Sequence, residues 1–196
     1  GKCANIWLKI QDEQEEVESN YGTYILGEQW DWIIDEFAND IDSRRCTIVI
    51  HQPHHKTKNA KDLPCTQYLQ FFIRDNKLHL GVNMRSNDII FGFCNDVFNF
   101  ALFQQLMLNE LRGIYPDLEL GSYFHHAGSL HLYETHYDMR DNILMDNCFS
   151  KNTSYELQPY INRKYIQQMN MALPIEDLPK LELLAFTSKQ IEKLFI

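Results

Sequence analysis

The chain has 196 residues, of which 44% are hydrophobic and 13% aromatic, and its formal net charge at pH 7 is −9. This composition suits one globular domain with a substantial core, and the negative charge argues against sequence-independent binding to DNA or RNA, which needs a basic surface. The sequence contains no run of about eighteen apolar residues, so it predicts a soluble protein of the cytoplasm, or of a host cytoplasm if the source is viral, without a membrane partner.

The cysteines favour free thiols over cross-links. The five cysteines are an odd number, and no two form a Cys-x-x-Cys pair, which argues against a disulfide framework and a zinc ribbon. A His-x-x-His-His run ends at His55, but it lies in a loop that contains Pro53 and Pro64 and has no nearby cluster of cysteine or carboxylate ligands. We therefore predict solvated loop histidines and no metal site.

The first half of the chain predicts one helix followed by three strands. An amphipathic helix at 28–40 is indicated by apolar residues at helical spacing, and a short buried strand at 46–50 by its β-branched content. Two further strands, at 66–74 and 77–84, are separated by Asp75-Asn76, a pair typical of a hairpin turn. The other assignments in this half are a helix or irregular lead-in with a solvated acidic face at 5–17, a turn at 19–22, and loops at 42–45 and 51–64.

The second half is organised around one long helix. From Asp96 onward, apolar residues recur densely enough to predict a largely buried helix of about five turns. By itself, Asp96 is most simply interpreted as the N-cap of that helix, because free backbone N–H groups and the helix dipole favour a carboxylate there. After a stop at Pro116 we predict a strand at 122–133, helical pieces within 138–170 and a final amphipathic piece within 174–196.

The segment leading into this helix resembles the nucleotide-binding segment of the thymidylate synthase family. The residues that carry the resemblance are Asn83-Met84-Arg85-Ser86-Asn87-Asp88, Phe91-Gly92-Phe93 and Asn95-Asp96. The synthases carry asparagine where this chain has Asp96, whereas the phage-type deoxycytidylate hydroxymethylases carry aspartate, so the segment is more similar to the second branch. A carboxylate suits cytosine, because it accepts from the N4 amino group and shares a proton with N3.

The resemblance, firm over residues 5–137, implies a fold and an assembly. It indicates an α/β domain in which a mixed sheet and flanking helices surround one long buried central helix. We predict that residues 1–196 form a single domain of this type, lacking the N-terminal portion that carries the family's catalytic glutamate. The family also implies a homodimer formed through the sheet.

Cys65 follows Leu63-Pro64 and, by residue type alone, is more often a packing residue than a nucleophile. In the family, however, the catalytic thiol follows such a proline some twenty residues before an Arg-Ser pair, and Cys65 stands twenty residues before Arg85. The resemblance therefore implies that the Cys65 thiolate attacks C6 of a pyrimidine, with Arg85 favouring the ionised thiol. It also implies that Asp96 shares a proton with N3 and that Tyr21 belongs to the polar network around the base.

The resemblance assigns the remaining site residues to the parts of two substrates. These are Arg85, Ser86, Arg44 and Arg45 for the phosphate; His131 and Tyr133 for the sugar; Asn95 with Asp96 for the base; and Trp7, Asp88 and Gly92 for the folate. The two arginines of 42–45 would reach the site of the partner subunit. Without the family match, that loop is read as a solvated surface.

The predicted function is transfer of a one-carbon unit from 5,10-methylenetetrahydrofolate to C5 of dCMP, followed by hydration to 5-hydroxymethyl-dCMP. Three alternatives stay open at this point. The chain could methylate dUMP, hydroxymethylate CMP, or bind nucleotides without catalysis, since the upstream glutamate has no visible replacement in this sequence.

Overall fold

The computed structural model describes residues 19–56, 62–146 and 156–166. The predictions for 5–17, Trp7 and 174–196 lie outside these ranges. The helices of the described residues are α1 (Tyr21–Ile25), α2 (Glu28–Asn39), α3 (Gly92–Leu111) and α4 (Tyr137–Met145), and residues 163–166 are also helical. The strands are β1 (Thr47–Val49), β2 (Thr66–Arg74), β3 (Lys77–Met84), β4 (Asn87–Asp88), β5 (Glu119–Ala127) and β6 (Leu130–His131), and single 3₁₀ turns occur at Pro53–Lys56 and Glu134–His136.

A four-stranded sheet of order β1-β2-β3-β5 forms the centre of the fold. The pairs β1–β2 and β2–β3 are antiparallel, whereas β3 and β5 are parallel. Parallel neighbours cannot be joined by a tight turn, and α3 supplies the crossover between them. The predicted α/β class with a mixed sheet is confirmed, and β4 pairs with β6 in a second, two-stranded sheet.

The hairpin β2–β3 has the bounds predicted from the sequence. Asp75 and Asn76 take φ values of 51° and 58°, in the left-handed region that a two-residue hairpin turn requires. Aspartate and asparagine tolerate this region better than other residues with a side chain. The turn therefore fixes the register, which runs from Arg74 opposite Lys77 to Thr66 opposite Met84.

The core lies between one face of the sheet and the helices α2 and α3. The Trp30 ring of α2 meets the Phe71 ring of β2 edge-on at 6.2 Å. Gln104 of α3 is buried, and its Nε2 donates to the carbonyl oxygen of Leu78 at 2.9 Å and to that of Gly121 at 3.3 Å. This side chain therefore links α3 to both parallel strands, β3 and β5, by hydrogen bonds. The buried side chains of these elements include Ile33, Phe37, Ile73, Leu80, Val82, Phe100, Met107 and Leu111.

Three predicted boundaries are wrong. The central helix begins at Gly92, so Asp96 lies in its second turn and is not the N-cap. The N-cap residue is Phe91, which has no side-chain cap, and the Asp88 carboxylate accepts the N–H groups of Ile90, Phe91 and Gly92 just before and at the helix start. The predicted strand 122–133 is broken at Gly128-Ser129, where the chain leaves β3 and pairs with β4. The predicted turn at 19–22 includes the start of α1.

None of the helices within the described ranges is long and apolar enough to cross a membrane.

Candidate active site

The site is built around Cys65, which immediately precedes β2 beside a β-bulge. The backbone of Cys65 is held on both sides. Its N–H donates to the Tyr21 hydroxyl oxygen at 3.1 Å, and its carbonyl accepts the N–H of Arg85 at 2.9 Å. Tyr21 also accepts from the N–H of Thr66 at 3.3 Å and stacks on Phe100 of α3, with ring centroids 6.0 Å apart. The position of the thiol is therefore fixed by α1, α3 and the start of β2 together.

Burial raises the pKa of the Cys65 thiol above its usual value. The Arg85 guanidinium opposes this effect, whereas the nearby carboxylates of Asp62 and Asp96 add to it. The predicted help from Arg85 is thus present, but burial outweighs it in the unliganded protein.

Arg85 braces the segment in front of the thiol. Its Nε donates to the carbonyl of Pro64 at 3.1 Å, and its terminal nitrogen donates to that of Leu63, also at 3.1 Å. The side chain is nevertheless exposed, so its remaining N–H donors face solvent. An anion could bind them without disturbing the two carbonyl contacts.

Ser86 and His131 meet across the small sheet formed by β4 and β6. Ser86 Oγ lies 3.4 Å from His131 Nδ1, and the His131 and Tyr133 rings meet edge-on at 4.8 Å. Tyr133 lies beyond the end of β6, so His131 and Tyr133 do not share the continuous strand predicted at 122–133, although their two rings are in contact. The structure therefore brings Arg85, Ser86, His131 and Tyr133 to one edge of the fold.

Asp96 projects from the second turn of α3 and is partly buried. Burial raises the pKa of its carboxyl to about 6, while an interaction with the Asn87 side chain lowers it. Its charge affects both the Cys65 thiol and the Tyr123 hydroxyl, so the acid lies close to each. A carboxyl with this pKa can hold or release a proton near neutral pH, which a solvated aspartate cannot.

The raised pKa of Asp96 predicts a pH-dependent effect on stability. The folded state binds the proton more tightly than the unfolded chain, so this contribution to stability is fully present below the unfolded pKa of 3.8 and is lost as the pH rises through about 6. Asp96→Asn should therefore raise the free energy of unfolding by about 1–2 kcal/mol at about pH 8, after allowance for partial exposure. Urea denaturation of both proteins measures this difference.

The difference between Asp96→Asn and the wild type should shrink as the pH falls from about 6 and should vanish below the unfolded pKa of 3.8, where the wild-type carboxyl is protonated in both states. A gain that stays constant with pH would contradict the raised pKa. Asp138→Asn, which removes an exposed carboxylate from α4, is the control. It should change neither the free energy of unfolding nor its dependence on pH.

A polar group that the sequence did not single out lies behind Asp96. The Tyr123 hydroxyl is 2.8 Å from His125 Nδ1, and Asn87 Nδ2 is 2.9 Å from His125 Nε2. The available signal was the two-residue alternation of β5, which places Tyr123 and His125 on the face opposite to Phe124. Nothing in the sequence alone indicated that this face meets Asn87.

Asp88, Gly92 and Asn95 all have contacts within the chain. Asp88 accepts N–H groups from Ile90, Phe91 and Gly92 at 3.0–3.3 Å. Burial tends to raise the pKa of Asp88, but these hydrogen bonds, together with the charge of His136, lower it below its usual value. Asn95 is exposed and its Nδ2 donates to the carbonyl of Phe91 at 2.8 Å. Binding of folate or base by these residues stays a prediction.

Arg44 and Arg45 do not join the Cys65 site of their own chain. Arg45 forms an ion pair of 2.7 Å with Glu36, and the carbonyl of Arg44 accepts from Gln70 at 3.0 Å. Because Thr47 pairs with Gln70, this loop lies roughly 15–20 Å along β2 from Cys65, at about 3.3 Å per residue. A contribution to the site of a partner subunit stays a prediction.

The His-x-x-His-His run differs from its prediction at one residue. His55 is buried. Its Nδ1 accepts the N–H of Gln52 at 2.9 Å, and its Nε2 lies 3.0 Å from the Tyr24 hydroxyl. The prediction of solvated histidines is therefore wrong for His55. In the part of the chain that the structure describes, no group of three or more His, Cys, Asp or Glu residues is arranged to hold a metal ion.

Comparisons with known proteins show what the chain is similar to. A family model described as thymidylate synthase matches residues 2–183. The deoxycytidylate 5-hydroxymethyltransferases of Enterobacteria phages T4 and T6 are 33% and 32% identical to the chain over 72% of its length, and the chain spans 61% of each of them. Thymidylate synthase 1 of Bacillus spizizenii is 32% identical over 68% of the chain, which spans 50% of that protein.

A solved structure, thermostable thymidylate synthase A from Bacillus subtilis, superposes with a TM-score of 0.66. It covers 82% of this chain at 24% sequence identity, and the match spans 59% of that protein. The likeness concerns the fold.

Proposed function

The chain belongs to the thymidylate synthase family, and we propose that it transfers a one-carbon unit from 5,10-methylenetetrahydrofolate to C5 of dCMP, giving 5-hydroxymethyl-dCMP. The observation that carries the proposal is the pairing of a partly buried thiol, Cys65, with a nearby carboxyl, Asp96, whose pKa is raised to about 6. The chain spans about 60% of the length of the phage relatives it matches.

The first step is attack of Cys65 Sγ on C6 of the pyrimidine. The new S–C6 bond pushes the ring electrons toward C5 and, through C4, toward N3. Asp96 supplies a proton to N3 as this charge develops, which lowers the barrier most when the pKa of the acid lies near the working pH. Tyr21 holds the Cys65 backbone in place while the thiol reacts.

The later steps use the nucleophilic C5. Bound folate supplies the one-carbon unit at the oxidation level of formaldehyde. C5 then loses its proton to water, and the bond between the one-carbon unit and the folate nitrogen breaks, which releases tetrahydrofolate and leaves an exocyclic methylene. A water molecule adds to this methylene, Cys65 departs as a thiolate when the C5–C6 double bond forms again, and N3 returns its proton to Asp96. The atoms balance as dCMP, methylenetetrahydrofolate and water giving hydroxymethyl-dCMP and tetrahydrofolate.

The chemistry of the residues assigned to folate fits this co-substrate. The Asp88 carboxylate has about four acceptor positions and uses three for backbone N–H groups, so one can still accept from a pterin. Phe91 and Phe93 are exposed near the start of α3 and offer flat apolar surfaces for a ring. Trp7, the third member of the folate group with Gly92, lies outside the described residues.

The nucleotide would extend from Asp96 toward the edge formed by Arg85 and Ser86. The N–H donors of Arg85 that face solvent suit a phosphate dianion. His131 and Tyr133 lie beside Ser86 and would bind the sugar hydroxyl in this arrangement. We further propose that Arg44 and Arg45 complete the phosphate site from a second copy of the chain. Their distance from the Cys65 of their own chain supports this arrangement.

The outer face of the sheet is suited to such a dimer. Phe72 stacks on His79 at 5.1 Å and on Phe124 at 6.2 Å, while Val49 and Tyr68 leave about 40% of their surface exposed beside them. Phe124→Glu should therefore convert a dimer to a monomer and raise the KM for dCMP about tenfold, because the partner's arginines are lost. Sedimentation velocity and steady-state kinetics measure the two effects.

Phe98→Glu is the matched control for the Phe124 variant, since both phenylalanines are about half exposed but Phe98 lies on α3. It should leave the dimer intact. A Phe124 variant that still sediments as a dimer would place the interface elsewhere.

The function is tested by incubating the chain with methylenetetrahydrofolate and, in turn, dCMP, dUMP and CMP, followed by mass analysis of the nucleotide. We expect dCMP to gain CH₂O. The 32% identity to a Bacillus thymidylate synthase favours dUMP methylation as the second candidate, which would appear as a gain of CH₂ on dUMP alone. Nucleotide binding without any product would favour a non-catalytic role.

A further inference from the structure

Tyr123, His125 and Asn87 form a connected polar group that the steps above do not use. The group runs from β5 through β4 toward the acid on α3, with contacts of 2.8 Å between Tyr123 and His125 and of 2.9 Å between His125 and Asn87. The Asn87 side chain then interacts with the Asp96 carboxyl. These contacts connect the sheet to the group that faces the base.

The amide of Asn87 fixes the tautomer of His125. Because an amide nitrogen is only a donor, His125 Nε2 must accept from Asn87 Nδ2. A neutral imidazole that accepts at Nε2 carries its hydrogen on Nδ1, which therefore donates to the Tyr123 oxygen. Burial and the charge of His126 both lower the pKa of His125, which favours this neutral form.

The Asn87 amide is closely surrounded, and its hydrogen bond to His125 sets which end is the nitrogen. Asn87 is only 3% exposed, and its Nδ2 also lies 3.2 Å from Met84 Sδ, a weak acceptor. A Cβ at Gly92 would lie 2.5 Å from Asn87 Oδ1, so the glycine provides the room that the amide oxygen occupies. The Phe93 ring packs edge-on against His125 at 5.2 Å and limits movement of the imidazole.

We propose that His125, held by the Tyr123 hydroxyl, is a positioning residue that fixes the Asn87 amide against the Asp96 carboxyl. The inference rests on the proposed function, in which Asp96 pairs with the cytosine ring. With His125 replaced, the amide can turn its oxygen toward the carboxyl, and the repulsion between the two oxygens disfavours the ionised acid. The other titratable groups that face Asp96 are Cys65, at the start of β2, and Tyr123, both raised in pKa by burial.

The test is the titration of the Asp96 carboxyl carbon by ¹³C NMR in the unliganded protein, with the signal assigned from its loss in Asp96→Asn. His125→Phe should move the midpoint upward by about half a unit to one unit, and Tyr123→Phe should move it less in the same direction. His125→Gln keeps an acceptor for Asn87 and should restore most of the wild-type midpoint. His126→Gln, one residue along on the opposite face of β5, should leave it unchanged.

The same variants separate positioning from folding and from the proposed function. With dCMP, His125→Phe should lower kcat about tenfold with less than about a threefold change in KM, since the nucleotide contacts lie elsewhere. If the His125 variant does not fold, the Asp96 midpoint in Tyr123→Phe, which removes a single oxygen, tests the inference instead. Unchanged Asp96 midpoints in both folded variants would overturn the inference. Wild-type protein that lacks turnover but keeps these shifts would refute only the proposed function.

Discussion

Cys65→Ser should reduce turnover of dCMP by at least about a thousandfold. A serine hydroxyl is far less acidic than a thiol, and burial already raises the pKa of the group at this position, so the alkoxide needed for attack on C6 is not accessible. Binding of dCMP should change little, because the residues assigned to its phosphate and sugar lie on other elements. Steady-state kinetics and calorimetric titration with dCMP measure the two quantities.

Cys94→Ser is the matched control, since Cys94 is also a free thiol but is exposed on α3. It should retain the wild-type rate. A Cys65→Ser variant that keeps more than about a tenth of the wild-type rate would exclude covalent catalysis by this thiol.

Asp96→Asn should reverse the preference between bases. The asparagine amide complements the N3–H and O4 groups of uracil, whereas cytosine then loses both its acceptor for N4 and its proton for N3. We expect kcat/KM for dCMP to fall about 10²–10³-fold, as is usual when a buried polar group loses its partner, and that for dUMP to rise. Competition between the two nucleotides in one reaction, with mass analysis of both products, measures the ratio directly.

Asp138→Asn again serves as the control, because it removes one negative charge from an exposed site. Its preference should equal that of the wild type. An Asp96→Asn variant that keeps the wild-type ratio would mean that the carboxyl does not contact the base.

The hairpin of the sheet was predictable because its signals are local. The hairpin β2–β3 combines two-residue alternation with an Asp-Asn pair that tolerates a left-handed backbone, so both strands and the turn follow from adjacent residues. The helix α2 was likewise predicted to within one residue, since Trp30, Ile33 and Phe37 recur at helical spacing and are buried.

The start of α3 was not predictable in the same way. Asp88 and Asp96 are both plausible caps by residue type, and only the folded chain shows that Asp88 binds the free N–H groups. Asp96 lies in the second turn and therefore has no capping role. Its pKa is raised because the carboxyl is buried.

The chemical environment of the thiol could be predicted only in part. The spacing of Cys65 and Arg85 indicated a cation near the thiol, but the sequence contains no measure of how deeply the thiol is buried, and burial is the larger effect. The group formed by Tyr123, His125 and Asn87 depends on the contact between β5 and β4, which are brought together by pairings distant in sequence.

The most direct test of the account is a crystal structure of the Cys65→Ser variant with dCMP bound. We predict that one oxygen of Asp96 lies within about 3 Å of N3 and the other within about 3 Å of the N4 amino group. The side chain at position 65 should lie beneath C6, within about 3.5 Å. A complex in which Asp96 faces solvent, or in which the pyrimidine binds away from position 65, would contradict the account.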